Sequence, residues 1–298
     1  MHKSYFCTRK SNMAYRYLIH LAYNGSAYGG WQIQPNATTV QQMIDTGLAA
    51  IGRVKSSVTG CGRTDAGVSA RSFFAHFDHD EALTTDYLKQ LTFRLNRFLP
   101  QDIVVFEVKP VVPGAHARFS AMWREYEYLI IIQKDPFTFQ NAFFVHEELD
   151  IEKMNICSAL LLGRHDFQCF SKVNTQVNNY LCDVKVAEWT GNDHFLKFTI
   201  RADRFLRNMV RAIVGTLLDV GRGKISPEEF QQIIASHDRG KAGYSVPAKG
   251  LTLTGVGYPE EIFSGIPVFF SPEHGEKVIS HYYTDPELHH GSGNETNK

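Results

Sequence analysis

The stretch Gly60-Cys61-Gly62-Arg63-Thr64-Asp65-Ala66-Gly67-Val68-Ser69-Ala70 is a glycine-rich loop with a predicted strand on each side, near Val54 to Thr59 and at Ser72 to Phe77. Its glycines permit tight turns and the close approach of a second molecule, so the loop can present Arg63 and Asp65. The simplest alternative is that Asp65 only hydrogen-bonds its own turn. Neither of the two glycine motifs that bind phosphate occurs in this loop, so the loop is not predicted to cradle a phosphate.

Hydrophobic periodicity on either side of the loop predicts alternating strands and helices. Before Pro110 the order is βαββαβ: a strand at 15–23, a helix from Thr38 or Thr39 to Gly52, the two strands around the loop, a helix at 85–98 and a strand at 103–108. After Pro113-Gly114 the mixture recurs: a strand at 124–133, a helix at 151–162, strands at 181–190 and 195–201, helices at 204–220 and 227–235, and a strand at 251–258. Two such halves predict a duplicated α+β fold with a mixed, mainly antiparallel sheet, helices on one face and a central cleft.

The chain is expected to have four segments. These are an N-terminal extension (1–13), an N-terminal α+β half that carries the Asp65 loop (14–112), a C-terminal α+β half (113–259) and an acidic C-terminal tail (260–298). The proline and glycine residues at 110–114 mark the boundary between the halves. The tail is rich in Pro, Gly and His, and we expect its last ten residues to be disordered.

The composition is that of an ordinary folded protein: 298 residues, 43% hydrophobic, with 31 basic and 31 acidic residues. No apolar run approaches the length of a membrane span, and no secretory signal is recognised, so a cytoplasmic location is expected. A net charge of zero argues at first against nucleic-acid binding. However, seven acidic and only two basic residues follow residue 258, so the preceding part of the chain is mildly basic. Neutrality therefore does not count against an RNA partner.

The five cysteines are odd in number and irregularly spaced, which favours reduced thiols over a disulfide framework. A zinc site is conceivable from one group of residues, namely Cys157, His165, Cys169 and Cys182. No Cys-x-x-Cys pair is present to hold a metal locally, so buried structural cysteines are the favoured interpretation.

Six blocks in the same order resemble the tRNA pseudouridine synthase A family. The loop signature Gly62-Arg63-Thr64-Asp65-Ala66-Gly67-Val68 is the most specific of them. The other blocks are Tyr23-Asn24-Gly25 with Tyr28-Gly29-Gly30-Trp31-Gln32, Arg124-Glu125-Tyr126-Glu127-Tyr128, Gly163-Arg164-His165-Asp166-Phe167, Phe205-Leu206-Arg207-Asn208-Met209-Val210-Arg211 and Lys249-Gly250-Leu251-Thr252-Leu253. The blocks run from Tyr23 to Leu253, and the resemblance, taken over residues 14 to 258, covers both predicted halves.

The resemblance implies an isomerase with the pseudouridine synthase fold that converts uridine to pseudouridine at positions 38 to 40 of the tRNA anticodon stem-loop. It also implies a homodimer with no metal, no small-molecule cofactor and no membrane association. Asp65 would be the catalytic nucleophile, Tyr126 would contact the uracil ring, and Arg211 would be the cation beside the carboxylate. Arg63 would guide the flipped nucleotide, or instead bond loop carbonyls.

The helix predicted at 204–220 would place Arg204, Arg207 and Arg211 on one stripe. Arg204 and Arg207 are therefore candidates for RNA-backbone contacts, with a solvated polar face as the equal alternative. The sequence departs from the family pattern at Ser69, where His is usual, and at the acidic neighbours of Tyr126, which predict altered RNA contacts.

Two other classes of function remain as alternatives. A non-catalytic protein of the same fold that binds structured RNA is the nearer one, although the intact Asp65, Tyr126 and Arg211 argue against it. A small-molecule hydrolase that uses Asp65 as its nucleophile is the other, but no metal-binding carboxylate pair or Ser/His/Asp arrangement accompanies that residue.

Overall fold

The structure is a computed structural model that describes residues 15–173 and 177–263. The extension predicted at 1–13 and the acidic tail beyond residue 263, including its expected disordered end, lie outside the described residues. Within the described ranges, each helix is too short or too polar to cross a lipid bilayer.

A single mixed sheet of ten strands forms the centre of the fold. The strands are β1 (Tyr15–Tyr23), β2 (Thr59–Gly60), β3 (Ser69–His79), β4 (Ile103–Val111), β5 (Trp123–Ile131), β6 (Phe143–Phe144), β7 (Gly163–Asp166), β8 (Leu181–Gly191), β9 (Phe195–Ala202) and β10 (Leu251–Gly257). The strand order is β4-β1-β3-β10-β5-β9-β8-β7, with β2 beside β3 and β6 beside β5. Two pairs, β10 with β3 and β6 with β5, are parallel, and the remaining pairs are antiparallel. The predicted α+β fold with a mainly antiparallel sheet is confirmed.

The described residues include five α-helices, and four of them begin next to a side chain that caps the helix start. They are α1 (Val40–Gly47), which continues as a wider turn over Leu48–Gly52, α2 (Thr85–Phe98), α3 (Ile151–Ala159), α4 (Met209–Gly221) and α5 (Pro227–Ser236). Thr39, Thr84 and Asp150 each accept a hydrogen bond from a backbone N–H in the first turn of α1, α2 and α3. Ser226 and Glu229 form a capping box at the start of α5.

Buried side chains form two clusters. One joins α1 and α2 to β1, β3 and β4 and includes Ile44, Leu91 and Phe73. The other joins α3, α4 and α5 to β5, β8 and β9. Tyr126 on β5 packs against both clusters. The junction of the two clusters, at the centre of the sheet, is therefore formed in part by a predicted site residue.

The predicted start of the helix at 204 is wrong, because α4 begins at Met209. Asn208 precedes it with a left-handed backbone (φ 67°), which interrupts a helix. The backbone of residues 203–208 bonds elsewhere: the Arg204 N–H donates to the Asp203 carboxylate, and the Arg207 carbonyl accepts from Lys172 N–H. Arg204 and Arg207 consequently do not share a helical stripe with Arg211, and the argument from helix periodicity fails for them.

The other differences concern short elements. The strand predicted near 54–59 is reduced to β2, while β3 extends three residues before and two beyond its predicted range. The two-residue β6 and the four-residue β7 were not predicted. Strands this short contain too few residues to show an alternating pattern.

Candidate active site

Asp65 begins a tight turn in the loop between β2 and β3. The Val68 N–H donates to the Asp65 carbonyl at 3.1 Å, closing a four-residue turn. Its third residue, Gly67, has φ +81°, as a type II turn requires at that position. The hydrogen-bonded turn thus fixes the backbone at Asp65. About one-third of the Asp65 side chain is exposed.

The segment from Tyr23 to Trp31 holds this loop from one side. The Tyr23 hydroxyl and the Thr64 hydroxyl form a buried hydrogen bond of 2.9 Å, directly before Asp65. The backbones also touch, because a Cβ atom on Gly25 would lie 2.0 Å from the Val68 carbonyl oxygen. Two family-like blocks that are far apart in the sequence are therefore one packed unit in the structure.

Arg211 on α4 supplies the positive charge beside Asp65. Its Nη1 atom lies 3.0 Å from Asp65 Oδ2, although 146 positions separate the two residues in the chain. The guanidinium is held at its other end, where Nε donates to the Val246 carbonyl at 2.8 Å. The Val246 N–H in turn donates to the Arg211 carbonyl. The cation is thus fixed by two hydrogen bonds, and Asp65 Oδ1 is left without a hydrogen-bond partner among the described residues.

Tyr126 contributes an aromatic ring beside this ion pair. The ring meets Phe205 edge-on, with centroids 5.1 Å apart. Burial raises the pKa of Tyr126, and the nearby Cys61 and Asp65 act in the same direction against an opposing effect of Arg124. The hydroxyl therefore remains protonated at neutral pH, and the ring can offer a neutral face to a planar ligand.

The remaining candidates lie at the edge of the site. Arg63 is exposed on the Asp65 loop, and its guanidinium has no hydrogen bond or ion pair within residues 15–173 and 177–263. Arg204 donates to the Asn179 side chain at 3.3 Å, and Arg207 is exposed. Phe205, which lies between them in the chain, meets the Tyr126 ring, so the segment before α4 borders the site even though it is not helical.

Two positioning residues were not predicted from the sequence. The Tyr128 hydroxyl donates to the Pro247 carbonyl at 2.8 Å and so anchors the segment that holds Arg211. Arg124 donates through Nη2 to the Cys61 carbonyl at 3.2 Å, at the start of the Asp65 loop. Side chains alternate between the two faces of a strand, so residues 124, 126 and 128 share one face. This spacing could have predicted that Arg124 and Tyr128 lie on the same face as Tyr126.

The residues that depart from the family pattern bond to groups other than the Asp65 carboxylate. The Ser69 hydroxyl accepts a hydrogen bond from the Gly25 N–H at 3.0 Å and ties the loop to its supporting segment. Glu125 and Glu127 point to the opposite face of β5, where they pair with Arg201 and Lys197. The altered RNA contacts expected from these two carboxylates stay a prediction.

The described cysteines Cys61, Cys157, Cys169 and Cys182 are buried free thiols. Burial raises the pKa of Cys61 and that of Cys157 to about 11, which keeps both thiols protonated. No group of three or more metal-ligating side chains occurs in the part of the chain that the structure describes. The four residues considered for a zinc site therefore do not form a ligand cluster in the described residues.

Comparison with known proteins relates the chain to one family. A family profile described as tRNA pseudouridine synthase matches residues 157–259. The tRNA pseudouridine synthase A of Parabacteroides distasonis is 50% identical over 248 residues, which is 83% of this chain and 98% of that protein. The corresponding proteins of Porphyromonas gingivalis and Chlamydia muridarum are 47% and 35% identical, over 83% of this chain and 99% and 93% of theirs.

Proposed function

The chain belongs to the tRNA pseudouridine synthase A family, and from this premise we propose that it isomerises uridine to pseudouridine in tRNA with Asp65 as the nucleophile. The observation that carries the proposal is the 3.0 Å contact between Arg211 Nη1 and Asp65 Oδ2. A carboxylate in a partly closed site loses hydration, which disfavours its charged, nucleophilic form. A fixed guanidinium offsets that loss.

The reaction balances without an external reactant. The bond between N1 of uracil and C1′ of ribose breaks, the base turns, and a bond from C5 to C1′ forms. C5 releases its proton and N1 gains one, so the product is an isomer of the substrate. A carboxylate at this place can attack the uracil ring, attack C1′ or first remove a ribose proton, and Asp65 Oδ1 is the oxygen free to do so.

The target base must leave its stack to reach Asp65, at a cost of a few kcal/mol. Tyr126 offers a ring on which the flipped uracil stacks, and base–aromatic stacking returns about 1–3 kcal/mol. In this proposal Arg63 guides the flipped nucleotide, and Arg204 and Arg207 contact RNA phosphates along the border of the site. The exposure of Arg63 and Arg207 leaves both cations available for phosphate.

We further propose that the target lies at positions 38 to 40 of the anticodon stem-loop and that a homodimer acts in the cytoplasm. Neighbouring targets in differing sequences require recognition by shape and backbone, the usual mode for structured RNA. Mass measurement of the protein in solution tests the dimer, and mapping of pseudouridine in treated tRNA tests the positions.

The decisive experiment is release of tritium from tRNA that carries C5-labelled uridine. The wild-type protein is expected to release tritium, Asp65→Ala to release none, and Asp193→Asn, a change at an exposed carboxylate, to match wild type. No release by wild type would overturn the activity. Full release by Asp65→Ala would overturn the role of that residue, and tRNA binding without release by wild type would support a non-catalytic RNA-binding protein.

A further inference from the structure

Phe137 is the most exposed large hydrophobic side chain of the described residues, at 92%. It lies in the turn formed by residues 133–142, which leads from β5 to β6. Burial of a phenylalanine side chain stabilises a fold, and the described part of the chain does not gain this stabilisation at Phe137. Phe139 in the same turn is also exposed, at 51%.

Hydrogen bonds hold the backbone of the 133–142 turn. The Asp135 carboxylate accepts from the Phe137 N–H at 2.9 Å and from the Thr138 hydroxyl at 2.6 Å. Backbone bonds from Phe139 to Asp135 and from Asn141 to Thr138 complete it. The turn therefore presents Phe137 from a bonded backbone, which lowers the entropic cost of using that ring to bind a ligand.

Lys249 connects this turn to the Asp65 loop. Its Nζ atom donates to the Phe139 carbonyl at 3.0 Å, and no ion pair joins it to a carboxylate of the described residues. The preceding residue, Ala248, lies beside Gly67: a Cβ atom on Gly67 would meet the Ala248 Cβ at 3.5 Å. The turn therefore contacts Lys249, and the residue next to Lys249 contacts the Asp65 loop.

A cavity of about 450 Å³ opens between these elements. Its lining residues are Ser26, Ala27, Gly67, Gln140 and Lys249. The lining offers a hydroxyl, a side-chain amide and an ammonium that has no carboxylate partner among the described residues. Gln140 belongs to the turn that carries the exposed rings. A cation with hydrogen-bond donors suits a phosphate, and an exposed ring suits a nucleobase.

We propose that this cavity is a subsite for the RNA nucleotide next to the target uridine, with its phosphate at Lys249 and its base stacked on Phe137. The subsite rests on the proposed function, because Gly67 lies two residues beyond Asp65 and places the cavity beside the uridine position. An acidic peptide also matches a lysine next to an aromatic ring. The continuity with the Asp65 loop favours RNA, since a strand whose nucleotide reaches Asp65 continues past this cavity.

The test measures binding of an anticodon stem-loop RNA to the full-length protein in the Asp65→Ala background, so that binding is separated from chemistry. Adding Phe137→Ala is expected to raise Kd about fivefold or more, from the loss of one stacked base. Adding Lys249→Ala is expected to weaken binding and to reduce the slope of log Kd against log salt by about 0.7, as for one phosphate contact on a single strand. Matched controls on α2, Phe93→Ala and Lys89→Ala, remove an exposed ring and an exposed ammonium elsewhere.

A second measurement uses 2-aminopurine at the position next to the target, where stacking on Phe137 quenches its fluorescence in Asp65→Ala but not in the double variant with Phe137→Ala. Unchanged Kd, salt slope and quenching in the Phe137 and Lys249 variants would overturn the subsite, even if wild type isomerises uridine. Binding that depends on both residues, together with no tritium release by the wild-type protein, would instead support the subsite and overturn the catalytic proposal. Absence of RNA binding by the parent Asp65→Ala protein would overturn the subsite.

Discussion

One face of β5 carries Tyr126 at the junction of the two buried clusters, while the other carries Glu125 in an ion pair with Arg201. The Asp65–Arg211 pair lies on the first side and resembles the Glu125–Arg201 pair in chemistry and partial exposure. The two pairs differ in their surroundings. Arg211 is held by a backbone carbonyl from another segment, whereas Arg201 lies over the Trp123 ring within the sheet.

This difference shows that an ion pair in a strand-rich fold acquires a role from its neighbours. On the helical side, the loop turn leaves Asp65 Oδ1 free and an aromatic ring stands beside it. On the opposite side, Glu125 is also approached by the Thr254 hydroxyl at 3.3 Å, and both partners are engaged within the sheet. The first arrangement can act on a ligand, and the second can only hold strands together.

The largest effect is expected from removing the two arginine charges separately. Arg211→Gln should lower kcat/KM for tRNA about 10²-fold, since a fixed cation no longer stabilises the charge at Asp65. Arg201→Gln should leave kcat/KM within about twofold and lower the free energy of unfolding by about 0–1 kcal/mol, as for a partly exposed pair. Steady-state kinetics and urea unfolding of both variants provide the measurement. Equal losses of activity in Arg211→Gln and Arg201→Gln would show that the two ion pairs do not differ in their role.

An intermediate effect is expected at Tyr126. Tyr126→Ala should raise Kd for the stem-loop RNA about 5- to 150-fold, because it removes a stacking ring worth about 1–3 kcal/mol. Tyr126→Phe retains the ring and should change Kd less than threefold, since the hydroxyl has no hydrogen bond among the described residues. Binding measured by fluorescence anisotropy distinguishes the two. A large loss in Tyr126→Phe would show that the hydroxyl, rather than the ring, contacts the substrate.

The smallest effect near neutral pH is expected from two histidines on the face opposite the helices. Burial lowers the pKa of His20 and that of His76 to about 4, with Lys109 adding to the effect at His20 and Arg16 at His76. The unfolded chain binds protons near pH 6.5, so it holds more protons than the folded chain between about pH 6.5 and 4. The free energy of unfolding should therefore fall as the pH drops through that window.

Urea unfolding at pH 7 and pH 5 measures this dependence. His76→Gln and His20→Gln should each reduce the difference between the two pH values, because each removes a group that gains a proton on unfolding. The His194→Gln variant, in which an exposed imidazole is replaced, serves as the control. An unchanged difference in both core variants would show that other groups govern stability in acid.

Local chemistry explains which elements could be predicted from the sequence. The limits of α2 agree with prediction because Thr84 caps it and its apolar residues recur at helical spacing. The start of α4 was mispredicted because the amides and carbonyls of residues 203–208 bond to their own loop and to Lys172. Such contacts between distant segments have no signature in a window of neighbouring residues.

The candidate site shows the same division. The residues Asp65, Tyr126 and Arg211 could be named from their motifs, because each motif is a short run with a recognisable composition. The 3.0 Å contact between Asp65 and Arg211 and the anchoring of Arg211 at Val246 had no such signal. The hydrogen bond from Lys249 to the Phe139 carbonyl likewise joins two segments that are over a hundred residues apart in the chain.

The sequence by itself determined the local elements, the loop at Asp65 and the types of side chain that chemistry requires, since turns, caps and periodicity depend on neighbours a few residues away. Only the tertiary structure decided that β10 inserts between β3 and β5 and that Tyr126 and Glu125 serve opposite faces in opposite roles. Strand order and the partners of charged groups depend on which distant segments pack against each other and exclude water from their interface. That is a property of the whole packed chain.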